Sequence, residues 1–285
     1  YQQIGRAGRA VDAAEVILLP ATEDREPVVV VNGALTARVV IGADGANSVV
    51  RRALGLAANP PEAMAIAVRA YADLPADGRP SEQFIHMTDV GWPAYAWSFP
   101  IGDGRTNIGY GMLRSQLGAG ADGASAKSVL HRTLAGMLPQ SPADPATLRA
   151  HHLPLSTHRP RQPNGPVLLV GDAASLINPL TGEGIYYALL SGSLAGRAAV
   201  TSTPATAGRQ YRRSLDGELG RHLRHTTLLA GLVGRSRTMM DGAVRAARTR
   251  TELYDTLVEI GLGRGTIPAS TLTRLAVRRT VAGLR

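Results

Sequence analysis

Apolar positions recur along this chain with two different periods, and the changes of period mark its elements. Residues 28–42, VVVVNGALTARVVIG, form two apolar runs split by Asn32-Gly33. That dipeptide takes the positive φ angles of a tight turn, so the segment predicts a β-hairpin. The following NSVVRRALGL predicts a short helix that stops near Gly55. Alternation returns over 63–74, 82–89, 94–104 and 105–113 and predicts mostly strand from Ala63 to Met112. Residues 125–138, SAKSVLHRTLAGML, carry helical spacing behind Ser125, a residue type that caps helix N-termini. The run GPVLLVGD, 165–172, is continuously apolar, as a buried parallel strand is. From Thr206 onward the pattern is mainly helical with glycine interruptions.

Where the buried run ends, the residue types change abruptly. GDAASLINPLTGEG, 171–184, holds Gly171, Asp172, Pro179, Gly182 and Gly184 just before a helix that opens at Ile185. In open α/β sheets ligands lie beyond the carboxyl ends of the strands. A carboxylate there can accept two hydroxyl hydrogen bonds, which is the chemistry of a sugar or ribityl contact. Gly182 and Gly184 let backbone N–H groups at the helix start approach an anion or a flat charged ring. The same strand–Gly–Asp arrangement occurs earlier in VVIGADGANSVV, with Gly42, Asp44 and Gly45. Two such units suggest one extended ligand touched twice. A further segment, PAYAWSFPIGDGRTNIGYG at 93–111, alternates Tyr95, Trp97 and Phe99, which therefore share one face of a strand. The chain has only two Trp and two Phe. One of each on this face makes an aromatic surface suited to an apolar polyene, or to core packing.

GADGANSVVR resembles the Asp-Gly motif of the hydroxylase-type flavoprotein fold, and VLLVGDAASLINPLTGEGIYYAL resembles its Gly-Asp motif. The sequence NPLTGEG is similar to the geranylgeranyl reductase family, where aromatic hydroxylases of this fold have Pro-x-x-Gly-Gln-Gly. Tyr95, Trp97, Phe99 and Pro100 resemble that family's Pro-x-x-Tyr-x-Trp-x-Phe-Pro signature, with Pro93 one residue closer to the tyrosine than the signature has it. The resemblance covers most of residues 30–200. It implies an α/β fold, mixed with α+β: a partial doubly wound FAD-binding domain (1–58 and 161–205), an interleaved antiparallel-sheet substrate domain (59–160) and a helical C-terminal region (206–285). It implies FAD as cofactor, with Asp172 at the ribityl chain and Gly42, Asp44, Gly45, Gly171, Pro179, Gly182, Gly184 and Ile185 around it. Tyr95, Trp97, Phe99 and Pro100 would hold a prenylated small molecule or lipid whose double bonds are reduced. Electrons would come from NAD(P)H or a ferredoxin-like protein. A monooxygenase or halogenase on the same fold, and a non-catalytic lipid- or partner-binding fragment, are the alternatives. Glu183 and Tyr95 are candidate proton donors, but nothing in the spacing selects either, and no catalytic residue is assigned. The family's opening strand–GxGxxG–helix has no counterpart here. The one GxGxxG match, at 118–123, follows no clear buried strand and reads as a loop. Together with a start on Tyr1 in mid-pattern, this leads to the expectation that a preceding segment is missing.

Composition narrows the remaining chemistry. The absence of cysteine excludes disulfides, thiolate metal sites and cysteine nucleophiles. Cysteine-free composition and no signal-like start fit a cytoplasmic protein, and no apolar run approaches the roughly 20 residues that span a bilayer. His151, His152, His158, His222 and His225 have no neighbouring ligand set, so no metal site is expected. No Gly-x-Ser-x-Gly elbow supports a hydrolase. The net charge of +9 resides entirely after residue 208, where 15 Arg face 6 acids. Apolar stretches interleaved with Arg212, Arg213, Arg221, Arg224, Arg235, Arg237, Arg245 and Arg248 suit an anionic membrane surface met peripherally, or an apolar stripe that packs on the flavin domain with a solvated Arg face. Nucleic acid is not expected, because only Tyr211 and Tyr254 in that region could stack bases.

Overall fold

The structure is a computed structural model that describes residues 16–19, 28–31, 35–76, 80–88, 91–117 and 125–268. The fold is mixed α/β. Strands β1 (Val16–Leu19), β2 (Val28–Val31) and β3 (Leu35–Ala37) form an antiparallel meander. Val31 pairs with Leu35, as the predicted hairpin requires. The Asn32-Gly33 turn itself and the loop expected at 118–123 lie outside the described residues. Strand β4 (Val40–Gly42) leads into the short helix α1 (Val49–Ala53), and Gly55 beyond it takes a positive φ of 70°.

A five-stranded antiparallel sheet follows. It contains β5 (Met64–Asp73), β6 (Phe84–Thr88), β7 (Ala94–Gly102) and β8 (Arg105–Leu113). After helix α2 (Ala126–Met137), capped by Ser125 through the Ser128 N–H, strand β9 (Arg149–Pro154) completes it in the order β6-β7-β8-β5-β9. One face buries Val68, Ala70, Ala96, Ile108 and Tyr110 under Leu130 and Leu134 of α2. Burying a leucine side chain contributes roughly 1.5–3 kcal/mol, so two helical turns suffice to clamp α2 to the sheet. The opposite face carries Tyr95, Trp97 and Phe99, because side chains alternate across a strand.

Strand β10 (Val167–Leu169) returns the chain to the first unit and pairs in parallel with β4, Val167 opposite Val40. Its three residues are buried, as the continuous apolar run requires. Helix α3 (Ile185–Thr201) turns Tyr187, Ser191, Ala195 and Ala198 inward at helical spacing, against Tyr211, Leu215, Leu219 and Leu223 of the 30-residue helix α4 (Pro204–Val233). The apolar stripe of α4 is thus core, and Arg213, Arg221 and Arg224 stand on its exposed side. Helices α5 (Arg237–Ala247) and α6 (Thr251–Leu262) follow. No described helix is long and apolar enough to cross a membrane.

Candidate functional site

The parallel pair β4–β10 carries both Gly/Asp units at its carboxyl end, and the two aspartates have opposite fates. The Asp44 carboxylate is fully engaged by its own chain. It accepts from Ser48 Oγ at 2.6 Å, from the Val49 N–H at 2.6 Å and from the Val50 N–H at 3.1 Å. The two amides are orphan donors of the α1 N-terminus, so Asp44 caps that helix together with the N-cap residue Ser48, which accepts the Arg51 N–H. Gly45 beside it takes a φ of 83°, and Gly42 backs directly onto Leu169 of β10. Asp172 lies in a 3-10 turn, Gly171–Ala174, immediately after β10. No described group hydrogen-bonds to its carboxylate, and burial pushes its pKa up to about 6. A desolvated carboxylate without a donor is costly, and its environment favours a ligand that brings hydroxyl donors.

The walls around Asp172 are built for close approach. Gly171 has a φ of 52°, a region that L side chains rarely adopt, and a Cβ there would come 3.0 Å from Ala188 Cβ. Gly184, at the N-cap of α3, would place a Cβ 3.6 Å from Asp172 Oδ1. The first helical residue, Ile185, leaves 61% of its surface exposed at this mouth. Glu183 is occupied in capping: its Oε1 accepts the Tyr186 N–H at 2.9 Å. Pro179 and Gly182 shape the loop between, with Gly182 at a φ of 71°.

That loop is tied to the five-stranded sheet and to the C-terminal helices. The Tyr95 hydroxyl donates to the Thr181 carbonyl. Burial, with a contribution from Glu183, pushes the phenol up to about 12, so at neutral pH it remains protonated. Gly182 packs against the same hydroxyl. From Tyr95 a ladder of rings runs along β7, Tyr95 to Trp97 at 5.9 Å and Trp97 to Phe99 at 6.4 Å. Pro100 closes it beside a register shift of the strand.

Sequence reasoning passed over three residues that hold this arrangement. Buried Arg51 donates to Ser175 Oγ at 2.7 Å and Asn59 Oδ1 at 3.1 Å, which locks α1 to the turn after Asp172. Asn178, fully buried, donates to the Tyr187 hydroxyl and to the Ile260 and Gly261 carbonyls, and accepts the Leu180 N–H. Thr181 Oγ1 donates to the Gly261 carbonyl at 2.6 Å. An Asn before Pro in a glycine-rich loop, and an Arg inside an apolar helix turn, were the available signals. Among the described residues no cluster of His, Asp and Glu is placed to hold a metal ion.

The geometry above fits a flavin nucleotide: an unpaired carboxylate for a hydroxylated chain, glycines that leave it room, and an exposed isoleucine for a flat ring to cover. The profile of the family described as "FAD binding domain" matches residues 22–191. The chain belongs to the FAD-binding domain family. FAD is therefore the cofactor of this protein. A digeranylgeranylglycerophospholipid reductase of Methanopyrus kandleri is 29% identical over 199 residues, which is 66% of this chain and 49% of that protein. A menaquinone reductase of Mycolicibacterium smegmatis is 35% identical over 168 residues, 55% of this chain and 39% of that protein. The crystal structure of a geranylgeranyl bacteriochlorophyll reductase-like protein from Thermoplasma acidophilum superposes with a TM-score of 0.68 at 20% identity, covering 87% of this chain and 65% of that one. The chain thus spans about half the length, or less, of these curated relatives. The resemblance to geranylgeranyl reductases, carried in sequence by NPLTGEG and the aromatic signature, is matched by the name of the Methanopyrus kandleri relative.

Proposed function

We propose that the protein works as an FAD-dependent reductase that saturates carbon–carbon double bonds of a prenyl chain. One observation carries the reading: the aromatic ladder on β7 begins at Tyr95, whose hydroxyl is bonded to the glycine loop next to Asp172. An apolar track therefore leads directly to the cofactor site. Gly42, Gly45, Gly171, Pro179, Gly182, Gly184, Ile185 and Asp172 form the cofactor side, with Asp44 acting through the α1 turn it caps. Tyr95, Trp97, Phe99 and Pro100 form the substrate side. Residues 1–58 and 161–205 serve as the two parts of the flavin unit, 59–160 as the substrate sheet and 206–285 as the helical region. When bound, reduced FAD supplies the hydride, with electrons drawn from NAD(P)H or a ferredoxin-like protein. The chain's own task is to align the polyene on the rings and to exclude water from it. Each buried methylene contributes about 0.8 kcal/mol, so the ladder can hold a prenyl chain without polar contacts. The relatives' names span lipid and quinone head groups, and the prenyl chain is what those substrates share.

The test is mass spectrometry of a prenylated lipid incubated with the full-length protein, FAD and a reductant. A gain of two hydrogens per double bond is expected. Incorporation of oxygen or halogen, with the double bonds intact, would assign the alternative chemistry of this fold.

We further propose that α5 meets an anionic membrane surface. No described residue of α5 is buried, and Met239 and Val244 are exposed on the same helix as the exposed Arg245. Such a helix gains about 1 kcal/mol per Arg near anionic lipid. Co-sedimentation with anionic vesicles that disappears at high salt is expected, and retention in the supernatant at low salt would remove the membrane role.

A further inference from the structure

The ladder face of the five-stranded sheet carries a feature that the reductase reading does not use. Arg69 of β5 lies directly opposite Arg149 of β9 in the antiparallel register, and Gly109 of β8 separates Arg69 from Trp97 of β7. All of these residues face the same side of the sheet. Two strand spacings put Arg69 roughly 10 Å from the Trp97 backbone, and the indole lies across the intervening glycine toward it. Like charges directly opposite one another on a sheet repel. Here no described carboxylate relieves the repulsion. The half-buried Arg69 guanidinium rests over the Tyr71 ring at 5.1 Å and forms no hydrogen bond or ion pair with a described residue. Among the described residues the exposed Arg149 donates to the Ala146 and Leu148 carbonyls alone. Four residues further along β5, Arg105 stands opposite Asp73, ion-pairs with Asp103 at 2.8 Å and lies 5.7 Å from the same Tyr71 ring. Neither Asp103 nor Asp73 is ion-paired with Arg69, and the ring holds the Arg69 guanidinium in place.

We infer that Arg69 and Arg149 form an anion site for the phosphate-bearing head group of a prenyl substrate whose tail lies on Trp97 and Tyr95. The inference rests on the prenyl-reductase reading and deepens it. Guanidinium forks match phosphate oxygens in charge and geometry. The pair stands in the Trp97 row, one residue pair out from Tyr95 and the glycine loop. A substrate anchored there points its chain along the rings toward the cofactor. The site would favour a prenyl phosphate or phospholipid over a neutral prenyl alcohol or quinone.

Calorimetric titration of the full-length protein with farnesyl phosphate, farnesol and inorganic phosphate tests this. Farnesyl phosphate is expected to bind about tenfold or more tighter than farnesol, through charge-assisted contacts. Arg69→Gln and Arg149→Gln should each weaken farnesyl phosphate by about that factor and leave farnesol unchanged. Arg149 is exposed, so its variant folds even where a change at Arg69 disturbs the sheet. Equal binding of farnesol and farnesyl phosphate by the wild type, or variants that keep the preference, overturns the anion site and leaves the prenyl reading standing. Inorganic phosphate bound as tightly as farnesyl phosphate reassigns the pair to a free anion and overturns the head-group assignment. Binding of neither prenyl ligand overturns the prenyl reading together with this one.

Discussion

Replacement of Asp172 by Asn is expected to weaken FAD binding and, at the same time, to raise the stability of the cofactor-free protein at neutral pH. Both effects come from one carboxylate that is desolvated without a donor. Its folded-state pKa of about 6 stands above the ordinary 3.8. Between these values the folded protein holds a proton that the unfolded chain has released, so stability falls as pH rises through that window. The contribution is fully present below the unfolded value and lost above the folded one. Two units correspond to at most about 3 kcal/mol. An amide does not titrate, so Asp172→Asn should match the wild type near pH 4 and melt higher above about pH 6. Affinity moves the other way. A hydrogen bond to a charged group is worth about 1.5–3 kcal/mol, so losing the charge should cost roughly tenfold to a hundredfold in FAD affinity. Melting curves across pH and flavin titration, both on the full-length protein, check the two halves separately. Unchanged flavin affinity would take Asp172 out of the cofactor site.

Replacement of Gly109 by Ala should displace Trp97 and disable the ladder. A Cβ at Gly109 would lie 2.0 Å from Trp97 Cζ2 and under 2.6 Å from two more indole atoms. Real contacts are never that close, so the indole must swing off the strand. It then loses the hydrogen bond from Nε1 to Asn107 Oδ1, now 3.0 Å. Overpacking of this kind typically costs about 1–3 kcal/mol. The α2 side of the sheet, where Ile108 and Tyr110 point, is untouched by the change. The expected outcome is a folded protein with an altered near-UV tryptophan signal and a KM for prenyl substrate raised about tenfold or more, by loss of apolar contact. FAD affinity should stay as in the wild type. A variant with wild-type KM would show that Trp97 serves the sheet alone.

Much of the architecture was legible in the chain because it depends on neighbours. The period of two over 94–113 places Tyr95, Trp97 and Phe99 on one face without knowledge of the partner strands. The buried run 167–169 and the helix behind Gly184 follow from local residue types. So does the capping role of Ser125. The helical pattern after Thr206 was legible in the same way, but its orientation was not. The apolar residues of α4 read equally well as a membrane face, and only contact with β10 and α3 shows that they are core.

The division of labour between the two aspartates was decided by tertiary structure. Asp44 and Asp172 stand in similar Gly/Asp settings after apolar strands, yet one accepts three hydrogen bonds, two of them from α1 amides, and the other accepts none from a described residue. What separates them is where the following backbone turns, and that depends on burial of distant groups. The docking of Asn178 and Thr181 on the Ile260 and Gly261 carbonyls joins segments some eighty residues apart. The pairing of Arg69 with Arg149 spans a similar separation. Side-chain alternation and capping need only adjacent residues, so the sequence alone determines them. Strand register, helix docking and the charge state of a buried acid depend on groups brought together by the folded chain, so only the tertiary structure decides them.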